Sequence, residues 1–122
     1  MLLFVYGTLM RGERNQLDME KVGAEFVGEF TTEAKYNMYK TGQFPTVTPG
    51  GKIPIAGEVW RVSPDGFAHL DARESIHDDT GEPSGLERMQ IKTPYGDAWM
   101  YVSAEKPDAP EIKSGNWREV CK

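Results

Sequence analysis

Short apolar runs and glycine breaks set the rhythm of this chain. Met1-Leu2-Leu3-Phe4-Val5 is apolar throughout and too brief for anything but a strand, and its aromatic and β-branched members suit a buried one. Arg14 to Lys21 is polar apart from Leu17 and Met19, reads as a short helix or irregular turn, and stops at Gly23. Ala24 to Phe30 places Phe26, Val27 and Phe30 around Gly28, which reads as a strand with a bend or bulge. Ala34 to Tyr39 is a further strand. From Gly42 to Gly51 the prolines forbid a central strand, leaving loop with a short extended piece.

Ile53 to Val62 has the strongest strand pattern. Ile53, Ile55 and Val59 fall on one face, Trp60 and Val62 on the other, so both faces are at least partly covered. Glu58 in this strand is expected to face solvent. Ser63-Pro64-Asp65 opens a helix: Ser63 caps, Pro64 suits the first turn, and Asp65 favours the positive end of the dipole. The helix runs to about Glu74, and a polar loop fills Ser75 to Gly85. Leu86 to Thr93 alternates, Pro94-Tyr95-Gly96-Asp97 turns, and Ala98 to Ala104 returns, which makes a hairpin. Lys106 to Pro110 breaks the pattern, and Trp117 in the tail is expected to pack onto the rest. About six short strands and one main helix specify an α+β fold. The strands are expected to curl into a small mixed β-barrel-like sheet with the helix packed outside, as one domain over residues 1–122.

Composition narrows the function classes. Charged residues are 27% and hydrophobic ones 39% of 122, which is a globular balance. A formal net charge of −5 argues against a nucleic-acid surface, which clusters Lys and Arg. Cys121 is the single cysteine and leaves no internal disulfide. No apolar segment approaches the roughly 20 residues of a membrane span, and no signal peptide is visible, so the expected setting is cytoplasmic, without membrane or nucleic-acid partners. His69 and His77 lie eight apart without a close-set ligand pattern, and Asp78 to Glu82 does not match a calcium loop, so no metal is expected.

The stretch with chemistry in it is Tyr6-Gly7-Thr8-Leu9-Met10-Arg11-Gly12, directly after the first strand. A strand that ends in a glycine-fenced turn exposes peptide N–H groups without ladder partners, and convergent N–H groups form an anion-binding concavity. The plain alternative is a turn and nothing more. No Gly-Lys-Ser/Thr follows and the G-x-G-x-x-G spacing is missing, so it is neither a Walker loop nor a dinucleotide fingerprint.

Strand plus Tyr6-Gly7-Thr8-Leu9-x-x-Gly12 resembles the γ-glutamylcyclotransferase-like superfamily, especially its γ-glutamylamine cyclotransferase / AIG2-like branch. The rest of the signature follows in order. Gly42-Gln43-Phe44-Pro45 resembles a Gly-x-aromatic-Pro stretch, and Gly57-Glu58-Val59-Trp60-Arg61-Val62 the strand before the helix. Leu70-Asp71-Ala72-Arg73-Glu74 matches Leu-Asp-x-x-Glu, Arg88 the next strand, Trp99-Met100-Tyr101 the hairpin return, and Ser114-Gly115-Asn116-Trp117 the ending. Two departures, Leu86 in place of an aromatic and a longer, more acidic Ser75–Gly85 loop, put the identity of the substrate in doubt more than the chemistry.

The resemblance implies an enzyme, of transferase or lyase type, acting on a small-molecule γ-glutamyl amine or amide. The substrate's α-amine attacks its own γ-carbonyl and gives 5-oxoproline and a free amine. The nucleophile belongs to the substrate, so no protein nucleophile and no cofactor is needed, and holding the substrate folded removes much of the barrier. One carboxylate must move the proton, with a pKa well above the usual value of about 4.3. By resemblance that group is Glu74. The resemblance also assigns Tyr6, Gly7, Thr8 and Leu9 to substrate binding, through backbone N–H groups on the α-carboxylate or developing oxyanion. Tyr101 is either a hydrogen-bond partner of the substrate or a packed residue of the sheet. Arg11 and Arg88 could pair with a carboxylate. The rival reading is a non-catalytic module that keeps the same pocket for a small metabolite. Oligomeric state and the leaving amine are not specified by any of these features.

Overall fold

The computed structural model describes residues 1–13, 16–41, 44–73, 86–103 and 106–119. The first strand, β1 (Leu2–Val5), lies at the centre of a five-stranded sheet. It is buried along three of its four residues, as its apolar run requires. It pairs antiparallel with β5 (Ala56–Arg61) and parallel with β7 (Gly96–Ser103). β2 (Glu25–Thr31) adds to β5, and β6 (Leu86–Thr93) adds to β7, giving the order β2-β5-β1-β7-β6. Leu3, Phe4, Val59 and Met100 meet in the core with no exposure.

The sheet does not close into a barrel. β2 and β6 remain its two edges. A side chain spans them instead: Tyr95, in the β6–β7 turn, donates its hydroxyl to the Glu29 carbonyl at 2.9 Å. Its ring fills the space over Gly28. The bulge expected at Gly28 is there, as a register shift between Phe26 and Gly28.

The proline-rich stretch is a strand after all. β3 (Tyr36–Thr41) and β4 (Phe44–Pro49) form a separate two-stranded ribbon. A strand with a single ladder neighbour can place a missing N–H on its open side, so Pro45 and Pro49 are tolerated. β5 begins later than the apolar pattern suggested. Pro54 interrupts it, and Ile53 is left in an isolated bridge to Tyr36.

Helix α1 (Gln16–Lys21) is one short piece anchored by buried Met19. Helix α2 (Pro64–Arg73) starts at the expected cap, with the Gly66 amide donating to Ser63 Oγ at 3.0 Å. Leu70 ties it to the core. Among the described residues no helix is long and apolar enough to cross a membrane. Trp117 opens a short 3₁₀ turn and is almost fully buried, as its place in the tail predicted.

Candidate functional site

The first strand delivers Tyr6 to Gly12 to one end of the sheet as two successive turns. The Met10 amide donates to the Gly7 carbonyl at 3.1 Å, and the Glu13 amide to the Met10 carbonyl at 3.0 Å. Gly12 takes the left-handed φ of 80° that the second turn needs. Leu9 and Met10 are buried, so apolar side chains hold this loop to the core. Gly7 has a different reason to be glycine. The Pro45 ring at the start of β4 sits 2.7 Å from where a Cβ would be. The proline of the Gly-x-aromatic-Pro stretch therefore packs directly on the turn. Gly42 and Gln43 of that stretch lie outside the described residues.

The loop's amides divide into two groups. Those of Met10 and Glu13 close the turns, Arg11 donates to Glu58 Oε1 at 2.9 Å, and Gly12 donates to Gln16 Oε1 at 2.8 Å. Among the described residues, the amides of Gly7 and Leu9 donate to no acceptor. The loop's main-chain donors without a described acceptor thus lie in its first half.

Tyr6 and Tyr101 are brought together. The Tyr6 hydroxyl donates to the Tyr101 carbonyl at 2.7 Å, and its ring lies 6.3 Å from that of Phe4. Tyr101 is buried in β7, opposite Arg88 on β6. The Arg88 guanidinium stands 5.4 Å over the Trp99 ring. Glu74, next in the chain after the last residue of α2, lies outside the described residues. So do His77, Asp78, Asp79 and Glu82 of the acidic loop, and Cys121.

Glu58 overturns its expectation. It is fully buried, not solvated. Its carboxylate accepts from the Arg11 amide and Nε at 2.9 Å each, from an Arg118 terminal nitrogen at 2.9 Å, and from Trp60 Nε1 at 3.2 Å. Burial pushes its pKa up, but the Arg11 amide, Arg118, the Arg11 side chain and Trp60 outweigh it, and the carboxyl is held below the usual range. The cause of its burial is position. β5 is flanked by β1 and β2, Glu58 sits opposite Val5 and Glu29, and two arginines and an indole cover its face. A signal for this was present: a charge on a strand covered on both faces has to be paired.

Arg11 consequently pairs with a carboxylate of its own chain. It also stacks 3.5 Å over the Phe26 ring and lies 3.6 Å from Glu29. Phe26 meets Trp60 edge-on at 5.7 Å, which closes a ring of contacts around Glu58.

The family model described as "Gamma-glutamyl cyclotransferase, AIG2-like" matches residues 3–119. The chain is 36% identical over 118 residues to the gamma-glutamylcyclotransferase family protein YtfP of Escherichia coli K12, covering 96% of each. Its fold superposes with a TM-score of 0.78 on an uncharacterized protein of Pyrococcus horikoshii, 27% identical, over 98% of this chain and 91% of that one. A mouse AIG2-like protein superposes with a TM-score of 0.74 at 26% identity, over 93% of this chain and 86% of that one.

Proposed function

Since the chain belongs to the gamma-glutamyl cyclotransferase, AIG2-like family, we propose that it converts a γ-glutamyl amine or amide into 5-oxoproline and a free amine. The α-nitrogen of the substrate bonds to its own γ-carbonyl carbon, and the bond from that carbon to the leaving nitrogen breaks. Glu74 takes protons from the α-nitrogen and delivers them to the leaving nitrogen: two are lost as ammonium becomes lactam N–H, and two are gained as the amide nitrogen departs as an ammonium. Atoms and charge balance without a cofactor.

The observation that supports this reading best is the first half of the Tyr6–Gly12 loop. Gly7 and Leu9 hold amides with no described acceptor, in a loop pinned by buried Leu9 and Met10 and by Pro45. Rigid main-chain donors of that kind suit a carboxylate or an oxyanion. Tyr6 and Tyr101 border the same loop.

The test is 5-oxoproline release from a panel of γ-glutamyl amines and dipeptides, read by mass spectrometry, with Glu74→Gln as control. Release by wild type alone is the expected result, with activity rising through a limb near neutral pH that the variant lacks. Unchanged turnover in folded Glu74→Gln overturns the role of Glu74. Saturable 5-oxoproline binding without any release replaces the enzyme with a metabolite-binding module.

A further inference from the structure

A fully buried carboxylate is an expensive way to stabilise a small protein. Replacing a buried ion pair with well-packed apolar residues is often neutral or favourable. What the group around Glu58 supplies is geometry. Its carboxylate holds Arg11 by the amide and by Nε. The Arg118 guanidinium, bound to the same carboxylate, donates at 2.8 Å to the Arg11 carbonyl. Arg11 is therefore gripped at both its amide and its carbonyl. Three distant parts of the chain converge on it: the loop after β1, the centre of β5 and the tail.

Arg11 lies two residues beyond Leu9. The Met10 peptide between them is also fixed, since its amide is bonded to Gly7 and its carbonyl to Glu13. Displacing Arg11 would shift the turn that carries the Gly7 and Leu9 amides. We propose that Glu58 and Arg118 are positioning residues for the main-chain donors of the Tyr6–Leu9 turn. The inference rests on the cyclotransferase reading for its effect on the reaction. It does not need that reading for its effect on the loop.

Arg118→Met is the variant of choice, because the side chain is 35% exposed and its loss leaves Glu58 three other donors. Arg118→Lys is the conservative rescue and Arg61→Met, from an exposed pair with Glu25, the control. Two readouts are needed. The first is hydrogen exchange at the hydrogen-bonded amides of Met10, Arg11 and Glu13, with the β6–β7 hairpin as internal reference. Faster exchange confined to the loop is expected in Arg118→Met, partly restored in Arg118→Lys and absent in Arg61→Met. The second is steady-state kinetics on the best γ-glutamyl substrate. Displacement of the donors by a fraction of an ångström should lower kcat/KM roughly tenfold to a hundredfold. Most of it should appear as a higher KM, because a carboxylate cradle binds ground and transition states alike. A merely structural role would reduce the active fraction and leave KM alone.

Unchanged loop exchange overturns the clamp. Faster exchange with wild-type KM and kcat overturns its part in the reaction. A wild type silent on every substrate defeats the cyclotransferase reading instead, and the exchange result then decides the clamp by itself.

Discussion

Single positions here owe their identity to neighbours far away in the chain. Gly7 is the clearest case. No positive φ requires glycine at this position; the Pro45 ring does, by occupying the place of a Cβ. Gly7→Ala must push that ring or the turn aside. Overpacking of this kind costs about 1–3 kcal/mol, to be read as a lower midpoint in urea unfolding, and γ-glutamyl turnover should fall with it. Glu58 was misread for a related reason. Strand alternation sorts residues into two faces, but it does not say which face meets another part of the chain. The donors that bury Glu58 come from Arg11 and Arg118, 47 and 60 residues away. The Tyr6–Leu9 motif, by contrast, was legible as a contiguous string of residues, because a strand followed by a glycine turn is a local event.

Elements with local start and stop signals came through well. The β6 strand, its turn and the Gly28 bulge fell where pattern placed them. Helix α2 starts at its cap, and Ser63→Ala should remove the bond to the Gly66 amide. The expected loss is about 1 kcal/mol, measurable by chemical denaturation with no change in the pH profile of activity. β4 was read only as a short extended piece within loop, and the exclusion of a central strand holds, because proline rules are rules about neighbours. Six residues with two prolines cannot sit inside a sheet, yet they can form one side of a two-stranded ribbon. β5 was drawn too long because apolar alternation continues across Pro54, where ladder pairing does not.

At the scale of the whole molecule, one buried carboxylate ties β5 to both the opening loop and the tail, and its titration should be visible in stability. The folded state holds the Glu58 pKa below its unfolded value. Its contribution is therefore complete above the unfolded value of about 4.3. It is lost as pH falls from there through the depressed folded value, because in that window the unfolded chain takes up a proton that the folded one does not. Wild type should lose this stability progressively below about pH 4.3. Glu58→Gln should be less stable at pH 7 and decline less steeply in acid. Urea midpoints from pH 7 to pH 3 measure both, and the difference between the two curves cancels the other carboxylates. Equal slopes would show that Glu58 is not held ionised by its arginines.

Sequence by itself determined the α+β class, most strand and helix positions, and the turn that carries the candidate donors. These follow from side-chain periodicity, glycine and proline geometry and capping, all of which act within a few residues. The ordered motifs also carried the family. Only the tertiary structure decided that the sheet stays open and is spanned by Tyr95, that Pro45 rests on Gly7, and that Glu58 is buried under Arg11 and Arg118. Each of these is a contact between segments far apart in the chain. Such contacts depend on where the sheet brings its edges, its loops and its tail, and no local pattern of residues encodes that meeting.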